Sequence, residues 1–226
     1  DGKAYTFEPN GALLNASLVM QDKETNSYWS IMTENAVHGE AKGKKLDQLP
    51  GSTKTTWGAW KKAHPNSLVL SYLGREHEAS DPYLSYFRSK SGFRGIQTDD
   101  HRLANKEMIY SFYWNGQPQA IPHKSFINGG VVRLQDRELF LYREKQDSFY
   151  QATTVYLAPA GAKFVKQDKQ WLLTRDQNSP LQWDSLARSF SFNGVGFADS
   201  FQGFDTYWYI WSLTNKNTGI LEGQQR

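Results

Sequence analysis

Residues 107–122 read Glu-Met-Ile-Tyr-Ser-Phe-Tyr-Trp-Asn-Gly-Gln-Pro-Gln-Ala-Ile-Pro. An aromatic run of strand-forming residues ends at Asn115-Gly116, and a second extended run leaves it. Asn-Gly supplies the two left-handed conformations that a two-residue hairpin turn demands, so the stretch predicts a tight antiparallel pair. Similar runs follow at Gly129–Leu134, Glu138–Tyr142, Thr153–Leu157 and Trp171–Thr174. Together they predict a mainly β, β-rich α+β chain with a few short helices.

Outward from this hairpin, two segments resemble each other. TTWGAWKKAHPN spans residues 55–66 and TYWYIWSLTNKN spans residues 206–217. Thr55 matches Thr206, Trp57 matches Trp208, Trp60 matches Trp211 and Asn66 matches Asn217 at one constant offset. In the first segment Thr55 or Thr56 caps a helix that carries Trp57 and Trp60 at i and i+3, and Pro65 ends it. Upstream, Asp22 stands before Trp29 as Asp176 stands before Trp183, with the same spacing. An apolar run precedes each Asp, Leu18-Val19-Met20 and Trp171-Leu172-Leu173. Each Asp can close a polar turn by accepting from amides two or three residues on.

Features repeated in the same order predict an internal duplication, with residues 1–98 as the first unit and 99–226 as the second, packed together as one compact domain. Gly161-Ala162-Lys163-Phe164 resembles the run Gly2–Phe7, and the second unit has strands between Glu107 and Phe164 before it reaches that segment, whereas the first begins at its own. The first unit is therefore expected to lack its N-terminal strands. Trp29, Trp57, Trp60, Trp183, Trp208 and Trp211 read as a repeated aromatic core.

Composition narrows the function classes. Only 38% of the 226 residues are hydrophobic, but 13 Phe, 12 Tyr and 8 Trp offer enough ring area for a core. The net charge of +3 arises from scattered residues, without the basic run that tracks a phosphate backbone, so nucleic acid is not an expected partner. The absence of cysteine excludes disulfides, thiolate metal sites and Cys nucleophiles within these residues. No apolar stretch reaches the roughly 18 residues of a membrane span.

Histidines with acidic neighbours are the candidate chemistry. His77 lies in Glu76-His77-Glu78, and His101 follows Asp99-Asp100. Glu76, His77, Asp99 and His101 are thus candidate ligands for a divalent metal such as copper, zinc or calcium, in a redox or hydrolytic role. His64, His77, Asp81, Tyr83, His101 and Arg102 lie on the loops expected to face a crevice between the units, where a small molecule or glycan would bind. His64 alone reads as a residue at a helix C-terminus, and His38 and His123 read as structural. There is no Gly-x-Ser-x-Gly elbow and no phosphate loop. The reading is a binding or scaffold protein without an identifiable catalytic centre, with the metal-dependent reading as its alternative.

The run from Met20 to Pro50, the segment TTWGAWKKAHPNSLVLS and the following DPYLSYF resemble the bacterial and archaeal family called domain of unknown function 3179. The resemblance is clear from about Gly2 to Tyr86, and residues 100–107 resemble the family's linker into a second repeat. It implies an exported protein, periplasmic or extracellular, in which another envelope protein or a preceding segment is an expected partner. It also implies a Cys-Pro segment upstream of the Gly2-Lys3 run, outside this sequence. It carries no established activity.

Overall fold

The computed structural model describes residues 3–47, 54–71, 73–74, 82–147, 151–174, 178–192, 195–196 and 201–225. In chain order the strands Phe7–Leu14 (β1), Ser17–Asp22 (β2), Tyr28–Ser30 (β3) and Asn35–His38 (β4) come first. Helices Trp57–Ala63 (α1) and Leu84–Arg88 (α2) follow. Then come Met108–Trp114 (β5), Gln117–Pro122 (β6), Gly130–Leu134 (β7), Arg137–Tyr142 (β8) and Thr154–Leu157 (β9). Lys163–Gln167 (β10), Gln170–Thr174 (β11), Asn178–Asp184 (β12), Ser189–Phe192 (β13) and Val195–Gly196 (β14) continue the series. Phe204–Tyr207 (β15), helix Trp208–Thr214 (α3) and Gly219–Ile220 (β16) close it. Among the described residues the protein is β-rich with three short α-helices, as the hairpin pattern predicts.

The chain packs as two compact units, each assembled from three stretches: residues 1–49, 85–107 and 206–218 in one, residues 50–84, 108–205 and 219–226 in the other. This is a division by packing, whereas the sequence units 1–98 and 99–226 rest on residue correspondence.

In the first compact unit, β1 to β4 form an antiparallel meander in sequence order. The β2–β3 turn is built on Asp22, whose side chain is buried. Its carboxylate accepts from Thr25 N at 2.5 Å, Thr25 Oγ1 at 2.8 Å and Trp29 Nε1 at 2.7 Å. Thr25 Oγ1 lies 2.7 Å from Ser27 Oγ, which accepts from Ala41 N at 2.9 Å. Gly39, at φ +92°, crosses this Ser so closely that a Cβ would lie 2.6 Å from Ser27 Oγ. Burial pushes the Asp22 carboxyl up, but the Trp29 and Thr25 hydrogen bonds outweigh it and the net shift is down. Trp29 sits edge-on against Tyr5 and Phe7, with ring centroids 5.5 and 5.4 Å away.

In the second unit, Asn115 and Gly116 turn β5 into β6 with φ of 50° and 74°, both left-handed as expected. The sheet order is β15-β5-β6-β16, with β16 parallel to β6. A separate sheet, β7-β8-β9, is buried on both faces. Side chains alternate along a strand, so neighbours on β8 enter different cores. Phe140, with Val131 and Tyr156, packs with Phe164, Trp171 and Phe190. Leu139 and Leu141, with Val132 and Val155, pack with Phe112, Ile121 and Phe126. The first of these cores is completed by the β10-β11-β12-β13-β14 meander. Phe140 stacks on Phe164 at 4.9 Å and meets Trp171 at 5.0 Å. Trp171 Nε1 donates to the Asn128 carbonyl at 3.0 Å, and a Cβ on Gly129 would lie 2.2 Å from that nitrogen, so only glycine fits there.

The Trp residues do not share one fate. Trp29, Trp208 and Trp211 are buried, and Trp183 is partly buried against Tyr142 and Phe190. Trp57 and Trp60, read from sequence as core, are instead 51% and 39% exposed. Helix α1 has no buried residue and carries Lys61 and Lys62 in its last turn, so its burial would strand two charges. Asp176 lies outside the described residues.

Removing the carboxylate from Asp22→Ala orphans Trp29 Nε1 and Thr25 N, at an expected cost of about 3 kcal/mol. Urea unfolding of the variant checks this. A midpoint equal to that of the parent would mean that the turn does not depend on Asp22.

Candidate functional site

The 98–102 loop of the first compact unit is held by its own polar groups. Thr98 N donates to Asn105 Oδ1 at 3.0 Å, and Asp100 N donates to Thr98 Oγ1 at 3.1 Å. Arg102 N donates to Asp100 Oδ1 at 3.1 Å, closing a short side-chain turn. The Arg102 guanidinium then folds back on the same carboxylate, with Nε 3.0 Å from Oδ1 and Nη2 2.6 Å from Oδ2. Hydrogen bonding from Arg102 lowers the Asp100 carboxyl below its ordinary value, against a smaller upward effect of burial. The same pair raises the Arg102 pKa, with burial opposing.

Helix α3 completes the wall. Trp208 N donates to the Glu107 carbonyl and Tyr209 N to the Asn105 carbonyl, at 2.8 and 2.9 Å. Trp208 is fully buried, and its Nε1 donates to the Asp100 carbonyl at 2.8 Å while Arg102 lies over the ring at 5.5 Å. Arg102 Nη1 donates to the Thr218 carbonyl at 3.0 Å, and Ser212 Oγ lies 2.8 Å from Thr98 Oγ1. Behind this wall Tyr86 and Tyr209 share a hydroxyl contact at 2.9 Å, and Lys106 lies over the rings of Tyr86 and Tyr207.

Between these stretches opens a cavity of about 700 Å³, lined by residues 98–102, by Ser212 and Leu213 and by residues 216–218. All belong to the first compact unit. Asp100 and Arg102 are occupied with each other, so the groups presented to an incoming molecule are Asp99, His101, Lys216 and Asn217, all exposed. The arrangement offers acceptors and donors of both charges at one opening. Groups of both kinds can hydrogen-bond to a polar molecule.

Of the residues nominated by sequence, the cavity gathers Asp99, His101 and Arg102. His64 is the C-cap of α1 in the other unit, its N–H donating to the Trp60 carbonyl and its ring centroid 4.1 Å from that of Trp60. Tyr83 is 58% exposed just before α2. Glu76, His77 and Asp81 lie outside the described residues. Among the described residues no group of three His, Asp or Glu side chains is placed to hold a metal ion. Sequence reading missed Lys216 and Ser212. Their only signal was position, just after the second Trp pair.

A second polar cluster is buried in the other unit. His123 Nε2 lies 2.7 Å from Asp205 Oδ1, and Thr153 donates to Asp205 through its amide at 2.8 Å and its hydroxyl at 2.5 Å. Arg143 Nη1 lies 3.7 Å from Asp205 and donates to the Gln151 carbonyl at 2.6 Å. Burial pushes the Asp205 carboxyl up, but His123 and Thr153 outweigh it and hold it ionised. Burial pushes the His123 imidazole down, further than Asp205 raises it. The cluster ties the ends of β6, β8, β9 and β15 together, and with 11% and 3% of the His123 and Asp205 side chains exposed it reads as structural.

The protein is thus β-rich, and its first unit carries a cavity lined by charged and polar residues. The chain belongs to the family described as "Protein of unknown function (DUF3179)", whose family model matches residues 1–218. The match extends well past Tyr86, where the resemblance in the motifs ends. No curated protein and no solved structure matches the chain. No helix among the described residues is long and apolar enough to cross a membrane.

The His123 pKa is lowered on folding, so above about 6.5 both folded and unfolded chains carry it neutral and it contributes nothing to the pH dependence. Below that value the unfolded chain takes up a proton that the folded chain refuses, and stability falls with pH. Loss from Asp205, whose folded pKa is depressed, sets in only below about 4. Urea unfolding from pH 7.5 to 5 is expected to show the first slope, and His123→Gln is expected to flatten it. Parallel profiles for parent and variant would assign the slope elsewhere.

Proposed function

We propose that this protein is a binding protein of the cell envelope, built from two related units at residues 1–98 and 99–226, that takes a small polar molecule in the cavity beside Asp99, His101 and Lys216. The single observation that carries the reading is the cavity itself. Its volume of about 700 Å³ lies in the range of small-molecule sites, and its loop is held in shape by the Asp100–Arg102 pair without using the groups at the opening. His101 and Lys216 suit an anionic or hydroxyl group, and Asp99 suits a donor. The duplication is supported by α1 and α3, each of seven residues and each ended by a residue whose N–H donates to the carbonyl of the second Trp. The envelope setting rests on the resemblance to exported family members.

The test is a thermal-unfolding panel of amino sugars, sugar acids and amino acids at millimolar concentration, run on the parent and on a His101→Ala, Lys216→Ala double variant. At least one compound is expected to raise the parent Tm by a few degrees, through binding to the folded chain alone, and to lose most of that effect in the variant. A panel without any response, or an equal response in both proteins, would sink the reading.

A further inference from the structure

Four Asn-Gly pairs stand in the chain, at residues 10–11, 115–116, 128–129 and 193–194, and the last lies outside the described residues. In such a pair the Gly amide nitrogen can close a ring onto the Asn side chain, because a residue without Cβ does not hinder the approach. By sequence the pairs are equal, and their surroundings separate them. Asn115 and Gly116 are fixed in the β5–β6 turn between the paired residues Trp114 and Gln117, and Asn115 Nδ2 donates to Gln135 Oε1 at 3.3 Å. Asn128 is held on both sides, its amide donating to the Arg143 carbonyl at 2.7 Å and its carbonyl accepting from Trp171. Its neighbour Gly129 already donates to the Phe126 carbonyl at 3.0 Å, against the Trp171 ring.

Asn10 and Gly11 stand instead in a bulge. Pro9 pairs with Met20 and Leu13 with Leu18, so Asn10, Gly11 and Ala12 together face the single residue Val19 and none of them is in register. Gly11 is exposed, with φ of +79°, and a Cβ built on it would meet nothing within 4 Å. Its nitrogen thus has room to swing. Ala12 N donates to Asn10 Oδ1 at 2.8 Å, and that oxygen is the one that takes up negative charge when Cγ is attacked.

We propose that Asn10 is a site of self-modification, at which the Gly11 amide nitrogen attacks Asn10 Cγ and the residue becomes aspartate or isoaspartate. The Gly11 N–H proton passes to water as the N–Cγ bond forms, and the carbonyl electron pair moves to Oδ1 beside the Ala12 N–H. Its return breaks the Cγ–Nδ2 bond, and Nδ2 leaves as ammonia with a proton from water. Water then opens the cyclic imide at either carbonyl. Opening at the main-chain carbonyl leaves isoaspartate, whose extra backbone methylene falls where the strand is already out of register. Each event lowers the net charge of +3 by one. The site is independent of the cavity.

The test incubates the intact protein in warm, mildly alkaline buffer, with and without denaturing urea, and follows each Asn by peptide mapping in a mass spectrometer. In the folded protein Asn10 is expected to convert about fivefold faster than Asn115 or Asn128, and in urea the rates are expected to become alike. Ala12→Pro removes the N–H that faces Oδ1, and is expected to slow Asn10 by about fivefold in the folded protein and to have no such effect in urea. Equal rates at the three residues in the folded protein, or the same ranking in urea, would overturn the proposal. So would an Ala12→Pro chain that converts as fast as the parent, or a slowing that persists in urea, which would assign the effect to the local sequence.

Discussion

An indole N–H that leaves water on burial gains from an acceptor, and at Trp29, Trp171 and Trp208 a turn or loop supplies one. Trp29 takes the Asp22 carboxylate, Trp171 the Asn128 carbonyl and Trp208 the Asp100 carbonyl. Each indole draws a polar turn against the core, and the turn then assumes the shape that brings its acceptor within 3.0 Å. At Asn128 this closeness demands glycine next door, because a Cβ on Gly129 would run into the ring. At Asp100 it holds the loop whose outer side lines the cavity. The aromatic core and the candidate site are thus two sides of one constraint.

The β7-β8-β9 sheet imposes the other condition. With both faces buried, it has no solvated side, and β8 reads as a nearly continuous apolar run instead of an alternating one. Glu138, within that run, is tolerated because its Oε2 accepts from Phe164 N at 2.9 Å. The His123–Asp205–Thr153–Arg143 cluster obeys the same rule at the sheet ends, where a carboxylate is kept charged in the interior by donors from separate strands.

The site was legible in sequence only in part. His101 and Arg102 attracted notice because charged residues crowd there, and the local Asp100–Arg102 turn has a two-residue signature. Lys216 and Ser212 carry no such mark, since their relevance comes from a helix more than a hundred residues away packing on that loop. The same holds for His123, which looked solitary because its partner Asp205 lies 82 residues further on. The reading of Trp57 and Trp60 as core failed for a related reason. Periodicity shows that two indoles share a helix face, but exposure depends on what lies across from that face.

What the sequence determined by itself is what local forces govern: the Asn115-Gly116 hairpin, the Asp22 turn, a Thr cap at residue 55 or 56 with Pro65 beyond the helix, and the β-rich class. These depend on dihedral preferences and on hydrogen bonds spanning a few residues, so the amino acids state them directly. Only the tertiary structure decided that Trp208 and Trp211 are buried and Trp57 and Trp60 exposed, that Arg102 serves Asp100 and Thr218 together, and that a cavity opens beside them. Those outcomes depend on which distant surfaces meet, and burial and charge pairing are properties of that meeting.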